Sequence, residues 1–222
     1  DLHSTSRRQR QMCIRDSEWV EENGTRWVRV VDYKTGTKKL DLKEVYCGLD
    51  CQMLLYLFTL ERNGGHLFPQ GTAAGVEYLW ADPAPENITR PETDDAEPSQ
   101  AQNYPLEGLL LDEPSIYHAM DTKGTGAFVP LSFSAKTGEP TAQSAKARLA
   151  DREKFNRIRD HLDGMLTDMA KNLYSGEIDA APLVPNAGKS PCLWCEYRTV
   201  CRHADGEGER TPLKPDDPFG AE

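Results

Sequence analysis

Apolar positions along this chain change period several times, and each change marks an element. Thr25 to Tyr33 is an apolar run with β-branched residues and reads as a strand. Glu18–Glu22 reads as its antiparallel partner across the Asn23-Gly24 hairpin signal. After the turn Thr35-Gly36-Thr37 the period becomes helical. Leu42, Tyr46, Leu49, Met53, Leu57 and Leu60 form one stripe, predicting a helix over 42–62 that stops at Asn63-Gly64-Gly65. Residues 73–80, AAGVEYLW, predict a central strand. Residues 81–105 are rich in Pro, Asp and Glu without periodicity and read as a loop or insertion. A short helix over 112–121 and a strand over 128–133 follow. The longest helix is expected over 144–175, with Phe155, Ile158, Leu162, Met165, Met169 and Leu173 on one face and Gly176 beyond its end. Residues 204–222 are charged, rich in Pro and Gly, and expected to be disordered.

Candidate chemistry sits where the first strong strand ends. Asp32 and Lys34 are two positions apart, so they project from one face, with Cα atoms about 6–7 Å apart at ~3.3 Å per residue. A carboxylate suits Mg²⁺, a metal-bound water is a usable nucleophile near neutral pH, and an ammonium can lean over the same phosphate. The same letters also fit a surface Asp/Lys pair beside a Thr-Gly turn. Gly48, Gln52 and Tyr56 fall at i, i+4, i+8 on the predicted helix. They make a second stripe that can look into a site beside the strand, or be core and solvated positions of no chemical use.

PCLWCEYRTVC carries Cys192, Cys195 and Cys201 in C-x2-C-x5-C. Without a secretory signal such spacing reads as metal ligation more than disulfides. Three thiolates are one short of the four that a tetrahedral zinc or a cubane cluster takes. Cys13, Cys47 and Cys51 are the other cysteines, so either one of Cys47 and Cys51 closes the site or the fourth ligand lies outside this chain.

Taken in order, VRVVDYKTG, VYCGLDCQMLLYL, AAGVEYLW, LEGLLLDEPSIYHAMD, FVPLSFSAKTGEPTAQSA and CLWCEYRTVC resemble the C-terminal nuclease domain of the AddB family. These are the B subunits of ATP-dependent helicase/deoxyribonucleases, whose domain is a RecB-type PD-(D/E)xK nuclease with an iron–sulfur cluster. The resemblance spans roughly residues 26–203. It implies an α/β restriction-endonuclease-like fold, a mixed sheet flanked by helices, and Mg²⁺-dependent hydrolysis of DNA during double-strand break resection and recombinational repair, cutting the 5′-ended strand. It implies that Asp32 and the carbonyl of Tyr33 bind the metal, that Lys34 steadies the attacking water and the transition-state charge, and that Gln52 and Tyr56 position DNA or active-site groups. Cys192, Cys195 and Cys201 would hold three corners of a [4Fe–4S] cluster, its fourth cysteine absent from this chain. It further implies an ATP-binding, cytoplasmic bacterial assembly with DNA and an AddA-type helicase–nuclease subunit as partners.

The chain departs from the pattern at its start. The family's G-x-I-D-R-x-D segment before the DYK strand is missing, so the domain is expected to be truncated at the N-terminus. Residues 5–17, TSRRQRQMCIRDS, resemble a translated sequencing adapter, so residues 1–17 read as a non-native, disordered leader, leaving 18–203 as a partial nuclease domain and 204–222 as a tail. Asp16 falls near the place of the missing acidic motif and is taken as coincidental; Cys13 is not taken as a ligand.

Charge and hydropathy narrow the functional classes. The formal net charge is −10, and about −12 without the leader's Arg7, Arg8, Arg10, Arg15, Asp1 and Asp16. An acidic domain does not grip DNA by itself, since phosphate affinity comes from Lys and Arg, but it can be fed by a larger machine. No apolar run is long enough to cross a membrane. His66, His118, His161 and His203 follow no ligand spacing. Glu77 either points into the site or is an exposed strand carboxylate, and Lys38 and Lys39 either touch a phosphate or are solvated. The alternatives to the helicase–nuclease reading are a catalytically inactive, metal-stapled DNA-binding or assembly module and a CRISPR-associated exonuclease with a similar DYK, Q-x-x-x-Y and cysteine layout.

Overall fold

The computed structural model describes residues 14–20, 24–34, 36, 38–80, 106–184, 190–201, 203, 208–211 and 215–220. Its contacts divide the chain into two units, Asp1–Leu40 with Cys51–Arg159, and Asp41–Asp50 with Asp160–Glu222.

The first unit is built on a five-stranded mixed sheet in the order β1-β2-β3-β4-β5. The strands are β1 (Ile14–Val20), β2 (Arg26–Lys34), β3 (Gly71–Trp80), β4 (Leu106–Leu111) and β5 (Leu149–Ala150). β1 and β2 form the antiparallel hairpin that Asn23-Gly24 predicts, with Asp16 opposite Val30 and Ile14 opposite Asp32. β2 and β3 run parallel, β3 and β4 antiparallel, β4 and β5 parallel. Between β2 and β3 the chain crosses over through α1 (Leu42–Tyr46) and α2 (Gln52–Asn63), as a parallel pair requires. α2 packs on β2 and β3. Val28, Val30, Leu54, Leu57, Ala73, Val76, Phe155 and Ile158 are almost fully buried in this unit. A satellite core of Leu110, Tyr117, Val129 and Leu131 gathers under α3 (Pro114–Met120).

Several sequence expectations need correction. The first strand begins at Ile14 rather than Glu18, so residues 14–17 of the expected disordered leader pair with β2; ladder hydrogen bonds are made by backbone and accept any extended chain. The single helix over 42–62 is two, because Gly48 (φ 82°) and Asp50 (φ 56°) take left-handed backbone and end the first one. The helix over 144–175 is also two, α4 (Ala142–Arg148) and α5 (Arg152–Ser175). Leu149 and Ala150 leave the helix to pair with Leu110 and Leu111, and Asp151 restarts it by accepting the Lys154 N–H at 2.6 Å. No strand forms over 128–133. Pro130 lacks a donor, and only a bridge between Phe133 and Pro140 remains. The hydrophobic pattern does not anticipate β4. Gly75 and Gly108 sit where β3 and β4 press together: a Cβ on Gly75 would lie 2.6 Å from the Leu109 carbonyl oxygen. The loop expected over 81–105 lies outside the described residues.

The second unit contains α1, the C-terminal part of α5, and the cysteine segment, with a 3₁₀ turn at Pro191–Trp194 and α6 (Arg198–Cys201). The tail expected to be disordered is partly placed here. Arg210 bridges Leu183, and Phe219 is 3% exposed, edge-on to Tyr46 and His161. One buried aromatic gives this otherwise polar tail an anchor. Tyr46 stacks on His161 at 4.7 Å, and a ring nitrogen of His161 meets the Tyr46 carbonyl at 2.9 Å. Among the described residues no helix is long and apolar enough to cross a membrane.

Candidate active site

The C-terminal end of β2 brings Asp32 and Lys34 onto one face. Lys34 Nζ lies 2.6 Å from Asp32 Oδ2, so the period-two reading of the strand holds down to the atoms. Asp32 is 6% exposed, and the Lys34 side chain is about one-third exposed. The parallel register sets Asp32 beside Tyr78 and Lys34 beside Trp80. Lys34 Nζ also stands over the Tyr78 ring, 5.7 Å from its centroid. The Trp80 indole N–H donates to the Lys38 carbonyl at 3.3 Å, which ties down the turn after the motif. Lys38 is half-buried and Lys39 exposed.

Gln52 and Tyr56 lie on the first two turns of α2, and Gln52 Nε2 donates to the Tyr56 hydroxyl at 3.0 Å. Gly48 lies outside that helix, so the three-member stripe reduces to this bonded pair. Both residues are on an element packed against β2 and β3.

Glu77 matches neither sequence reading. It is 1% exposed, and its register partner Val31 puts it on the sheet face opposite Asp32. There Glu77 Oε2 pairs with Arg29 Nη1 at 2.8 Å, and Arg29 also donates to the Phe128 carbonyl at 3.0 Å. Glu77 Oε1 has no hydrogen-bond partner. Burial pushes the Glu77 carboxyl up to about 7, with the Arg29 charge opposing only part of the shift. The alternation of Val76, Glu77 and Tyr78 was legible in the sequence; which residue of β2 stands opposite Glu77 was not.

A metal here has one described carboxylate to bind. Among the described residues no three His, Cys, Asp or Glu side chains gather into a metal-holding group. Asp32 and the neighbouring Tyr33 carbonyl offer oxygen donors of the kind Mg²⁺ prefers and would be the residues to hold such an ion, but by themselves they do not make up a closed metal site. The cysteine segment does not fit a closed four-thiolate site as it stands. Cys195 and Cys201 are exposed and Cys192 half-buried, and none of the five described cysteines is in a disulfide. Local bonds shape this segment: the Ser190 hydroxyl caps the Cys192 N–H at 3.3 Å, and the Cys201 N–H donates to the Tyr197 carbonyl at 2.8 Å. Of the histidines, His161 packs on aromatics as a structural residue and His118 lies tilted against the Tyr117 ring.

Comparison with known proteins gives the family of the chain. The profile described as "PD-(D/E)XK nuclease superfamily" matches residues 19–202. The chain is 31% identical over 187 residues to the B subunit of the ATP-dependent helicase/deoxyribonuclease of Bacillus thuringiensis (strain Al Hakam), covering 82% of this chain and 16% of that protein. It is 28% identical over 187 residues to the protein of the same name from Clostridium botulinum (strain Loch Maree / Type A3), and 30% to that of Bacillus mycoides (strain KBAB4), with the same shares covered. The chain therefore spans about one-sixth of the length of these relatives. With a profile match over most of its length and an acid and an amine sharing the end of its second strand, the chain belongs to the PD-(D/E)XK nuclease superfamily.

Proposed function

We propose that this chain is the nuclease portion of a helicase–nuclease subunit that hydrolyses DNA phosphodiesters with Mg²⁺ during resection of double-strand breaks. The observation that carries the reading is the Asp32–Lys34 contact of 2.6 Å on one strand face. Asp32 and the Tyr33 carbonyl would hold the cation, whose contribution when bound would be to lower the pKa of a water so that it can lose its proton and attack near neutral pH. Lys34 stands where negative charge grows on the phosphoryl oxygens, and an ammonium near a water-poor site stabilises that charge strongly. Gln52 and Tyr56 restrain each other through their hydrogen bond and position the strand to be cut. Exonucleolytic removal of the 5′-ended strand, an AddA-type helicase–nuclease partner that binds ATP, and a [4Fe–4S] cluster on Cys192, Cys195, Cys201 and a fourth thiolate belong to the same proposal. The similarity to B subunits of ATP-dependent helicase/deoxyribonucleases supports the helicase–nuclease setting; the cluster and the strand polarity rest on the family resemblance alone. No step of the hydrolysis is assigned to the cluster.

The test is cleavage of linear DNA with Mg²⁺ or Mn²⁺, comparing the wild-type chain with Asp32→Ala and Lys34→Ala. Loss of cleavage in both supports the reading; cleavage untouched by either change ends it.

A further inference from the structure

We propose that Lys38 is a DNA-binding residue that takes the phosphate next to the one to be cut, and that Trp80 is its positioning residue. The inference rests on the reading of the Asp32–Lys34 face as the place where a DNA strand is held.

The path of the chain after Lys34 carries the argument. Residues directly opposite each other on neighbouring strands share a sheet face. Trp80 is the in-register partner of Lys34, as Tyr78 is of Asp32, so all four side chains stand on one face. The Trp80 indole N–H donates to the Lys38 carbonyl at 3.3 Å. The indole reaches the backbone of residue 38 from that face. The chain that leaves β2 at Lys34 therefore returns to the Asp32 side of the sheet at Lys38. Lys34 and Lys38 flank one indole, and Lys38 is half-buried there.

Charge singles out the same place. The whole chain has 36 acidic side chains to 26 Lys and Arg. Residues 33–40, YKTGTKKL, hold three lysines and no acid. An acidic protein repels a polyanion except where cations gather, and this stretch is such a place. Lys34 is the ammonium assigned to the scissile phosphate. A DNA strand crossing that point carries a further phosphate on either side, and Lys38 meets one of them. Lysine suits this contact, being a compact charge on a flexible stem that needs no fixed fork geometry. Trp80 supplies the order that the stem lacks. A backbone already held in place leaves only the side chain to be ordered on binding.

Fluorescence anisotropy of a labelled single-stranded oligonucleotide with the 222-residue chain, in EDTA and over about 50–200 mM salt, tests the contact without any metal. Lys38→Ala is expected to weaken binding about three- to tenfold at the low-salt end. It is also expected to make the log–log salt slope shallower by about 0.7, the share of one phosphate on a single strand. Lys38→Arg keeps the charge and is expected to stay within about twofold of wild type. Lys123→Ala removes an exposed lysine elsewhere in the same unit and is expected to leave the slope unchanged. Trp80→Phe keeps a ring and loses the N–H. It is expected to weaken binding about twofold, and to have no effect in a Lys38→Ala background. In single-turnover cleavage Lys38→Ala is expected to raise the half-saturating DNA concentration by the factor seen in binding and to leave the saturating rate within about twofold. A slope unmoved by Lys38→Ala, an equal loss from Lys123→Ala, or a wild-type chain that binds no oligonucleotide at about 50 mM salt overturns the proposal. Equal losses from Trp80→Phe with and without Lys38 overturn the positioning role. Cleavage untouched by Lys34→Ala rejects the nuclease reading and this inference with it. Cleavage lost in Lys34→Ala, with a slope unmoved by Lys38→Ala, overturns this inference alone.

Discussion

The sheet unit and the cysteine-bearing unit treat apolar surface in opposite ways. In the first, β2 and β3 are covered, and Val30, Leu54, Leu57, Ala73 and Ile158 are fully buried. In the second, α5 beyond Arg159 leaves Leu166, Met169 and Leu173 exposed, and Tyr174 and Ile178 are more than nine-tenths exposed. Leu193, Trp194, Tyr197 and Val200 around the cysteines are exposed too. Nine of the twelve large hydrophobic side chains exposed among the described residues lie in this second unit. Local rules built α5, whose caps and helical period are sound, but an apolar stripe without a covering surface contributes little to stability. The contrast teaches where function and stability reside: the unit holding Asp32 has its own core, and the cysteine unit has mostly local structure.

The largest expected effect lies at the end of β2. Asp32→Ala is expected to lower metal-dependent DNA cleavage by about a hundredfold or more, and Lys34→Ala by a comparable factor, as for removal of a group that stabilises transition-state charge. Neither should move the thermal midpoint far, because the pair sits at the strand's end, where Lys34 reaches solvent. A large loss of stability with cleavage retained per folded molecule would reverse the roles given to the two units. Gel-based cleavage alongside circular dichroism melts reads both.

Core truncation comes next and sets the two units side by side. Leu57→Ala removes a fully buried side chain from α2, and a loss of about 2–5 kcal/mol in unfolding free energy is expected. Leu173→Ala on α5, three-quarters exposed in the described structure, is expected to change stability by less than about 0.5 kcal/mol. Urea unfolding of the two variants measures the difference. Equal losses would show that the α5 stripe is covered in solution.

Much of this architecture could be read from letters, and what could not has identifiable causes. The Asp32–Lys34 pair was legible because strand period alone fixes which side chains share a face. The antiparallel pairing was legible because a turn signal falls between two strand-like runs, although the pairing of Val20 with Arg26 is one residue off the register of a two-residue Asn-Gly turn. The helix expected over 42–62 broke because residues one stripe apart in period need not be continuous in backbone, and Gly48 and Asp50 accept left-handed angles that periodicity does not sense. β5 was hidden because two residues, Leu149 and Ala150, carry too little pattern to stand out from the helices flanking them. The positions of Tyr78 and Trp80 relative to Asp32 and Lys34 depend on the β2–β3 register, which a long crossover connection leaves open until the strands pair.

A pH-dependent effect, the one most specific to the sheet unit, concerns Glu77. Its carboxyl has an ordinary value of 4.5 and stands at about 7 when buried on the sheet face opposite Asp32. Between those two values the folded chain holds a proton that the unfolded chain has released. Stability from this group is therefore fully present below about pH 4.5 and is lost as pH rises toward 7, by at most about 3 kcal/mol at ~1.4 kcal/mol per unit. Arg29 keeps the loss from being larger, through the 2.8 Å contact to Oε2. Glu77→Gln retains an acceptor for Arg29 and cannot ionise, so its unfolding free energy should be flatter than the wild type's across that window and higher near neutral pH. Urea unfolding at a series of pH values compares the two. Parallel pH curves for wild type and variant would mean that Glu77 is ionised throughout and that the back of the sheet is wetter than its burial implies. In that case the self-sufficient core assigned to this unit would not extend to the sheet face opposite Asp32.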